Sequence, residues 1–355
     1  MSRIIFTGGG SAGHVTVNIA LIPRFQEDRW EIDYIGSAEG IEKQLIAALP
    51  EVNYHPIATG KLRRYFDWRN FLDPFRVALG IYQAYKLIRK RRPDVVFSKG
   101  GFVSVPVVLG AWLNRVPVIL HESDLTPGLA NRIAIPFSTG VCTTFPETAD
   151  MLPQAKSRHT GAVIRDTIRQ GHSKLARTMC NFHADKPVLL IMGGSLGARR
   201  INQVVRAVLP QLLANYQIVH LCGQGQVDPA MASVGYAQFE YVQDEMPHLL
   251  AMADLVVSRA GSNAIFELLA LRKPMLLIPL TKKQSRGDQL LNAQSFERAG
   301  FAGVLEEERL TESALLAAVD ALFEQRESYR DRMSAYRQQD AIDEVYRTIR
   351  HAARN

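Results

Sequence analysis

Three glycine-rich turns carry the chemistry that this sequence can offer. The first, Gly8-Gly9-Gly10-Ser11-Ala12-Gly13-His14, follows the apolar run Arg3-Ile4-Ile5-Phe6-Thr7 and spaces glycines at 8, 10 and 13. At a strand-to-helix turn such spacing lets backbone N–H groups and the helix dipole receive a phosphate. Gly193-Gly194-Ser195-Leu196-Gly197-Ala198 is a second turn of the kind, and Ser258-Arg259-Ala260-Gly261-Ser262-Asn263 is a third that runs toward Glu267. One glycine turn can exist only to close a helix onto a strand. Three in one chain suit a diphosphate ligand and a second substrate held between two halves.

Other readings of the same residues predict different chemistry. A nicotinamide oxidoreductase needs one such turn and an acidic residue about twenty positions on, a place Glu31 or Asp33 fills loosely. The second turn and Arg165 are surplus to it. A sugar-nucleotide epimerase of the same fold, or a non-catalytic subunit, remains compatible with the turns alone. Glu267 lies one helical turn beyond Asn263, where its carboxylate could accept from both hydroxyls of a ribose or only complement a helix N-terminus. Residues 282–289, Lys-Lys-Gln-Ser-Arg-Gly-Asp-Gln, could read sugar and phosphate or form a solvated loop.

The elements that must position these turns alternate. Apolar runs RIIFT, EIDYIG, DVVFS, PVILHE and GVCTTF are each followed or separated by helical patterns, over 15–25, 41–48 and 103–113. The pattern restarts with PVLLIMGG, QIVHLCG, LVVSRAG and PMLLIPL, whose helical partners fall over 198–213, 263–270 and 288–299. Repeated βα units give parallel sheets with helices on both faces. The expected fold is therefore α/β, with two Rossmann-like, doubly wound domains facing a central cleft. Residues 1–162 form the amino-terminal domain and 163–332 the carboxyl-terminal one, and a final helix over about 333–355 packs back on the first. A chain of 355 residues with 47% hydrophobic and 22% charged residues suits two ordinary globular cores.

Charge is concentrated. Residues 61–92 hold ten Lys or Arg against Asp67 and Asp73, whereas the whole chain carries only +7. Leu72, Phe75, Leu79 and Tyr82 fall at helical spacing among those cations, including Arg63, Arg64 and Lys86. That is the composition of a helix lying on an anionic membrane, although an apolar stripe can equally face a core. No nucleic-acid-binding module accompanies the patch. Val103 to Leu120 is interrupted at Asn114-Arg115, and the start of the chain lacks the apolar run of a signal peptide. Cys142, Cys180 and Cys222 are odd in number and widely spaced, which suits a reducing cytoplasm.

The stretches TGGGSAGH, FSKGGFVSVP, LHESDLTPGLANR, MGGSLGAR, SRAGSNAIFE and QSRGDQLLNA, in this order from Arg3 to about Gly303, resemble the MurG family of glycosyltransferases, in the form found in Gram-positive bacteria. The resemblance implies the GT-B fold and transfer of N-acetylglucosamine from UDP-GlcNAc to the C4 hydroxyl of undecaprenyl-diphospho-N-acetylmuramoylpentapeptide, with inversion, in peptidoglycan synthesis. It implies donor contacts at Ser11, Ala12, Gly13, Arg165, Ser195, Ser262, Asn263, Ala264, Glu267 and Gln289, and a backbone contact to uracil near Val242. Many relatives carry asparagine where this chain has Asp124, and others pair two glutamines where it has Asp288-Gln289.

With that reaction, His14 is the candidate base, since imidazole titrates near neutral pH, and Asp124 and Glu122 are its rivals. No Asp-x-Asp occurs in the chain, so no tightly bound metal or cofactor is expected, free magnesium at most stimulating turnover. Charge on the departing UDP would rest on helix N-termini, backbone N–H groups and Arg165. A lipid-linked acceptor makes the basic, aromatic segment a docking surface, and the expected location is the cytoplasmic face of the membrane, peripherally bound.

Overall fold

The computed structural model describes residues 2–11, 13–60, 73–183, 186–194, 197–282, 284–336 and 340–354. Contacts divide the chain into two units, residues 1–164 with 339–355 and residues 165–338.

In the first unit, seven strands lie in the order β3-β2-β1-β4-β5-β6-β7: β1 (Arg3–Thr7), β2 (Glu31–Ser37), β3 (Val52–Ile57), β4 (Val95–Ser98), β5 (Val118–Glu122), β6 (Gly140–Thr143) and β7 (Ser157–His159). Every pairing is parallel. The central strands β1, β4 and β5 read as continuous apolar runs because both faces are covered. β3 lies at the edge, where Pro56 removes no ladder donor that matters. That proline is why the segment does not read as a strand in the sequence.

Helix Gly13–Glu27 buries Val15, Leu21, Ile22 and Phe25 on one face of this sheet, with the Phe25 ring 5.5 Å from Phe6. Helix Ala341–Arg354 packs on the same face through Val345, Tyr346 and Ile349. The returning helix thus starts at Ala341, not near 333, because helix Arg326–Ala335 belongs to the other unit. Helices Asp73–Arg91 and Ser104–Leu113 cover the opposite face.

The second unit has six parallel strands in the order β10-β9-β8-β11-β12-β13: β8 (Val188–Met192), β9 (Gln217–Leu221), β10 (Tyr236–Phe239), β11 (Leu255–Ser258), β12 (Met275–Leu277) and β13 (Ala302–Val304). The helix expected over 198–213 is two helices, Arg199–Ala207 and Leu209–Asn215. Pro210 has no N–H to donate to the Arg206 carbonyl and its ring crowds that oxygen, so the first helix ends at Ala207 and the second begins with the proline in its first turn.

Both sheets reverse strand order beside their first strand, between β1 and β4 and between β8 and β11. Ligands in doubly wound sheets bind outside the carboxyl ends of strands at such switch points. All three glycine turns sit there, after β1, β8 and β11.

Candidate active site

In the first unit, the turn after β1 is pinned at each of its first three glycines. Tyr34 Oη donates to the Gly8 carbonyl (2.7 Å), His14 Nδ1 lies 2.8 Å from the Gly9 carbonyl and 3.1 Å from Ser11 Oγ, and Gly10 N–H donates to Glu42 Oε2 (3.2 Å). A carbonyl only accepts, so Nδ1 carries the proton and the lone pair of neutral His14 sits on Nε2. Glycine is required by contact as well as conformation: a Cβ at Gly9 would come within 2.5 Å of the Glu42 carboxyl carbon, and Gly10 has φ +83°. Gly101, after β4, closes on the turn from the other side, where a Cβ would stand 2.2 Å from the Gly9 carbonyl oxygen and 3.1 Å from His14 Nδ1.

Lys99 follows β4 and is 3% exposed; burial lowers its pKa against the attraction of Glu122 and Asp124. Glu122 is buried too, and burial raises its carboxyl above the ordinary range. Its oxygens accept from Asp124 N–H (3.0 Å), Gly128 N–H (2.9 Å) and Asn131 Nδ2 (2.8 Å). Glu122 therefore shapes the turn after β5, and the rivalry to His14 narrows to Asp124, a half-buried side chain on that turn. His121 is fully buried beneath them, its pKa held well below the ordinary value by burial and by Lys99.

In the second unit, Arg165, Val242, Ala264 and Glu267 share one cavity of about 130 Å³, walled also by Tyr241 and Met246. Helix Ser262–Ala270 starts at Gly261 and carries Glu267 on the wall, while Arg165 precedes a short 3-10 turn, Asp166–Arg169. Arg165 Nη2 donates to Glu267 Oε1 at 3.4 Å. Burial raises the Glu267 carboxyl and Arg165 opposes the shift. The wall thus combines apolar side chains with a carboxylate and a guanidinium.

Ser262 is buried and Asn263 half-buried in the first turn of that helix. Gln289 Oε1 accepts from Leu280 N–H (3.2 Å) at the start of helix Asp288–Arg298. Ser11 and Gly13 lie on the first turn; Ala12 and Ser195 lie outside the described residues, as do Arg63, Arg64 and Leu72.

Two supporting residues escape a reading of the sequence. Arg259, 8% exposed, donates to Glu307 (2.6 Å) and to the Ile278 carbonyl (3.0 Å), tying together the turns after β11, β12 and β13. Asn202 donates to the Cys222 carbonyl (2.8 Å), and its Oδ1 lies 3.0 Å from Nε2 of buried His220. It thereby braces helix Arg199–Ala207 behind the second glycine turn. A lone arginine or asparagine at a helix start carries no periodic signal.

The basic helix also differs from one of its two readings. Phe75, Leu79 and Tyr82 are 74%, 49% and 52% exposed, whereas Gly80, Ala84 and Ile88 form the buried stripe. The apolar row is therefore not core-facing. Lys86 Nζ rests 4.6 Å from the Tyr82 ring centre. Trp112 and Leu113, on the helix packed alongside, are each about half exposed, and the Trp112 ring lies 5.2 Å from that of Phe137. Arg91 is withdrawn from it by a bidentate pairing with buried Asp33, at 2.8 Å for both bonds.

Paired doubly wound sheets with ligand turns at both switch points define the GT-B class of nucleotide-sugar enzymes. The chain belongs to glycosyltransferase family 28: the model of the family's N-terminal domain matches residues 4–143 and that of its C-terminal domain residues 188–345. It is 58% identical over 353 residues, 99% of both chains, to the UDP-N-acetylglucosamine–N-acetylmuramyl-(pentapeptide) pyrophosphoryl-undecaprenol N-acetylglucosamine transferase of Geobacillus kaustophilus, and 57% identical, with the same coverage, to that of Geobacillus thermodenitrificans. Among solved structures it resembles MurG of Acinetobacter baumannii (TM-score 0.78, 23% identity, 99% and 100% of the two chains). It also resembles a UDP-GlcNAc 2-epimerase of Neisseria meningitidis (TM-score 0.71, 13% identity, 98% and 100%). The last two likenesses concern the fold alone.

Proposed function

We propose that this chain transfers N-acetylglucosamine from UDP-GlcNAc to the C4 hydroxyl of undecaprenyl-diphospho-N-acetylmuramoylpentapeptide, an inverting hexosyl transfer that builds the disaccharide unit of peptidoglycan. The observation that carries the reading is end-to-end identity of 58% to a transferase of that name. The epimerases share only the fold, and family membership sets aside the nicotinamide oxidoreductase.

A base takes the proton of the acceptor hydroxyl, its oxygen bonds to the anomeric carbon from the face opposite UDP, and the bond to the diphosphate breaks with its electron pair leaving on UDP. His14 suits the base, because its Nδ1–H is committed to the Gly9 carbonyl and its lone pair lies on Nε2. In the second unit, Glu267 would accept from the ribose hydroxyls and the peptide at Val242 would read uracil. Departing negative charge falls to backbone N–H groups at the starts of helices Arg199–Ala207 and Ser262–Ala270. Among the described residues no group of three His, Cys, Asp or Glu side chains could hold a metal ion. We propose turnover without a tightly bound metal because helix N-termini, backbone N–H groups and Arg165 take up the departing charge.

Phe75, Leu79, Tyr82 and Trp112, amid exposed Arg76, Lys86, Arg89 and Lys90, suit peripheral docking on an anionic cytoplasmic leaflet. No helix among the described residues is long and apolar enough to cross a membrane.

One assay tests the whole reading. With radiolabelled UDP-GlcNAc and an undecaprenyl-linked acceptor analogue, label passes to the lipid product only when acceptor is present, and chelator leaves the rate within about twofold. Label that changes sugar without acceptor identifies an epimerase. Turnover abolished by chelator and restored by metal defeats the metal-free mechanism.

A further inference from the structure

The Gly9–Gly10 peptide unit is hydrogen-bonded at both ends. Its carbonyl oxygen, on Gly9, accepts from His14 Nδ1 at 2.8 Å; its N–H, on Gly10, donates to Glu42 Oε2 at 3.2 Å. Glu42 is 1% exposed, on helix Ile41–Ala47, and its other oxygen accepts from Ser37 N–H (3.0 Å) and Ser37 Oγ (2.5 Å). A buried carboxylate thus accepts directly from a backbone N–H of the first glycine turn. It has no packing need to be charged there: Gly9, Gly36 and Gly40 all lack side chains where a Cβ would meet Glu42, at 2.5, 3.0 and 2.2 Å. The surrounding backbone is shaped to admit it.

We propose that Glu42 is a positioning residue for the transfer reaction, acting on His14 through the intervening Gly9–Gly10 peptide. The carboxylate polarises the peptide, the peptide oxygen becomes a stronger acceptor, and the imidazole is held with its proton on Nδ1 and made more basic at Nε2. The logic is that of an acidic partner behind a catalytic histidine, with a peptide inserted between the two. When Nε2 takes the acceptor hydroxyl proton, the resulting imidazolium donates to an oxygen already biased by negative charge. The proposal rests on the reading of His14 as base.

Other charged or titratable groups face this chain from each packed element. Lys99, after β4, abuts Gly8; Tyr34 on β2 donates to the Gly8 carbonyl; Tyr54 on β3 lies near Glu42 and donates to the Ser37 carbonyl at 2.6 Å. The charge of Lys99 is opposed by Glu122 and Asp124, on the turn after β5.

The test uses the full chain with isotope-labelled histidine, His14 being assigned by difference against His14→Gln. In Glu42→Gln, whose amide oxygen can still accept from Gly10 N–H, the His14 titration moves down by roughly one pH unit. The acid limb of kcat moves with it, and kcat falls roughly threefold to thirtyfold, short of the 10²–10⁴ that loss of a general base costs. KM for UDP-GlcNAc is unchanged, and Glu42→Gln has no further effect in the His14→Gln background. Glu42→Asp, with the carboxylate withdrawn by one methylene, gives an intermediate shift and carries the test if the glutamine variant does not fold. A His14 titration unmoved in whichever variants fold overturns the proposal, as does a change confined to KM. Full kcat in His14→Gln instead removes His14 as base, and the NMR titration then still reports whether Glu42 governs its protonation.

Discussion

Arg165 and Glu267, 102 positions apart in the sequence, meet at 3.4 Å on the wall of the small cavity in the second unit. Each answers a different need of that wall. Helix Ser262–Ala270 delivers a carboxylate to a place where burial makes its charge costly, and Arg165 keeps part of the charge there.

If Glu267 accepts from the ribose hydroxyls, Glu267→Gln weakens UDP binding roughly tenfold to a hundredfold, the range for losing a hydrogen bond to a charged group. Calorimetric titration with UDP reads the change, and 2′-deoxy-UDP shows a smaller loss than UDP. Because burial raises this carboxyl, affinity declines on acidification at a higher pH than an ordinary glutamate would impose. Equal affinity of variant and parent for UDP would remove Glu267 from the ribose.

Asp33 controls acid stability of the first unit. Its carboxylate accepts from His55 and Arg91, and these bonds outweigh burial to lower its pKa from the usual 3.8. A folded pKa below the unfolded one contributes stability above the ordinary carboxylate range and loses it as pH falls through the folded value. The urea midpoint of the parent therefore drops steeply below about pH 4, while Asp33→Asn, about 2 kcal/mol less stable at neutral pH, shows a flatter acid limb. Identical acid limbs would defeat this assignment.

The carboxyl-terminal helix is a structural part of the first unit. The Tyr346 ring lies 4.7 Å from Phe25, and its hydroxyl donates to Asp28. Tyr346→Ala costs about 3 kcal/mol and lowers the unfolding temperature of that unit by roughly 6 to 12 °C in scanning calorimetry. A shift under 2 °C would place the helix outside the core.

Membrane docking separates from catalysis by choice of acceptor. Phe75→Ser, Leu79→Ser and Trp112→Ser combined reduce co-sedimentation with anionic vesicles about tenfold or more, while turnover with a short-chain, water-soluble acceptor stays within about twofold. Undiminished vesicle binding would assign the patch another role.

Much of this protein was readable from its residues. Uninterrupted apolar runs before glycine turns announce parallel strands buried on both faces, since few other elements hide a sequence such as Val95-Val96-Phe97 from water. The turns themselves, each spelled with glycine, marked the ends of β1, β8 and β11. Family motifs extended that reading to individual site residues.

Edge strands were harder. Val52–Ile57 contains a proline, and Ala302–Val304 has only three residues, so neither carries enough periodicity to stand out. Exposure of Phe75 and Tyr82 was likewise undetermined, because a helical row of apolar residues looks the same whether it meets a core or a solvent boundary. The packing of Gly80, Ala84 and Ile88 decides which side is inward.

Sequence by itself settled the two sheets, the order of their glycine turns and the family, because those depend on local pattern within a few residues. Tertiary structure alone decided that Glu42 lies buried against Gly10, that Arg165 reaches Glu267 and that Arg91 turns in to Asp33. A polar side chain's protonation and partners follow from what surrounds it in space, and residues tens of positions away supply those surroundings only after the chain has folded.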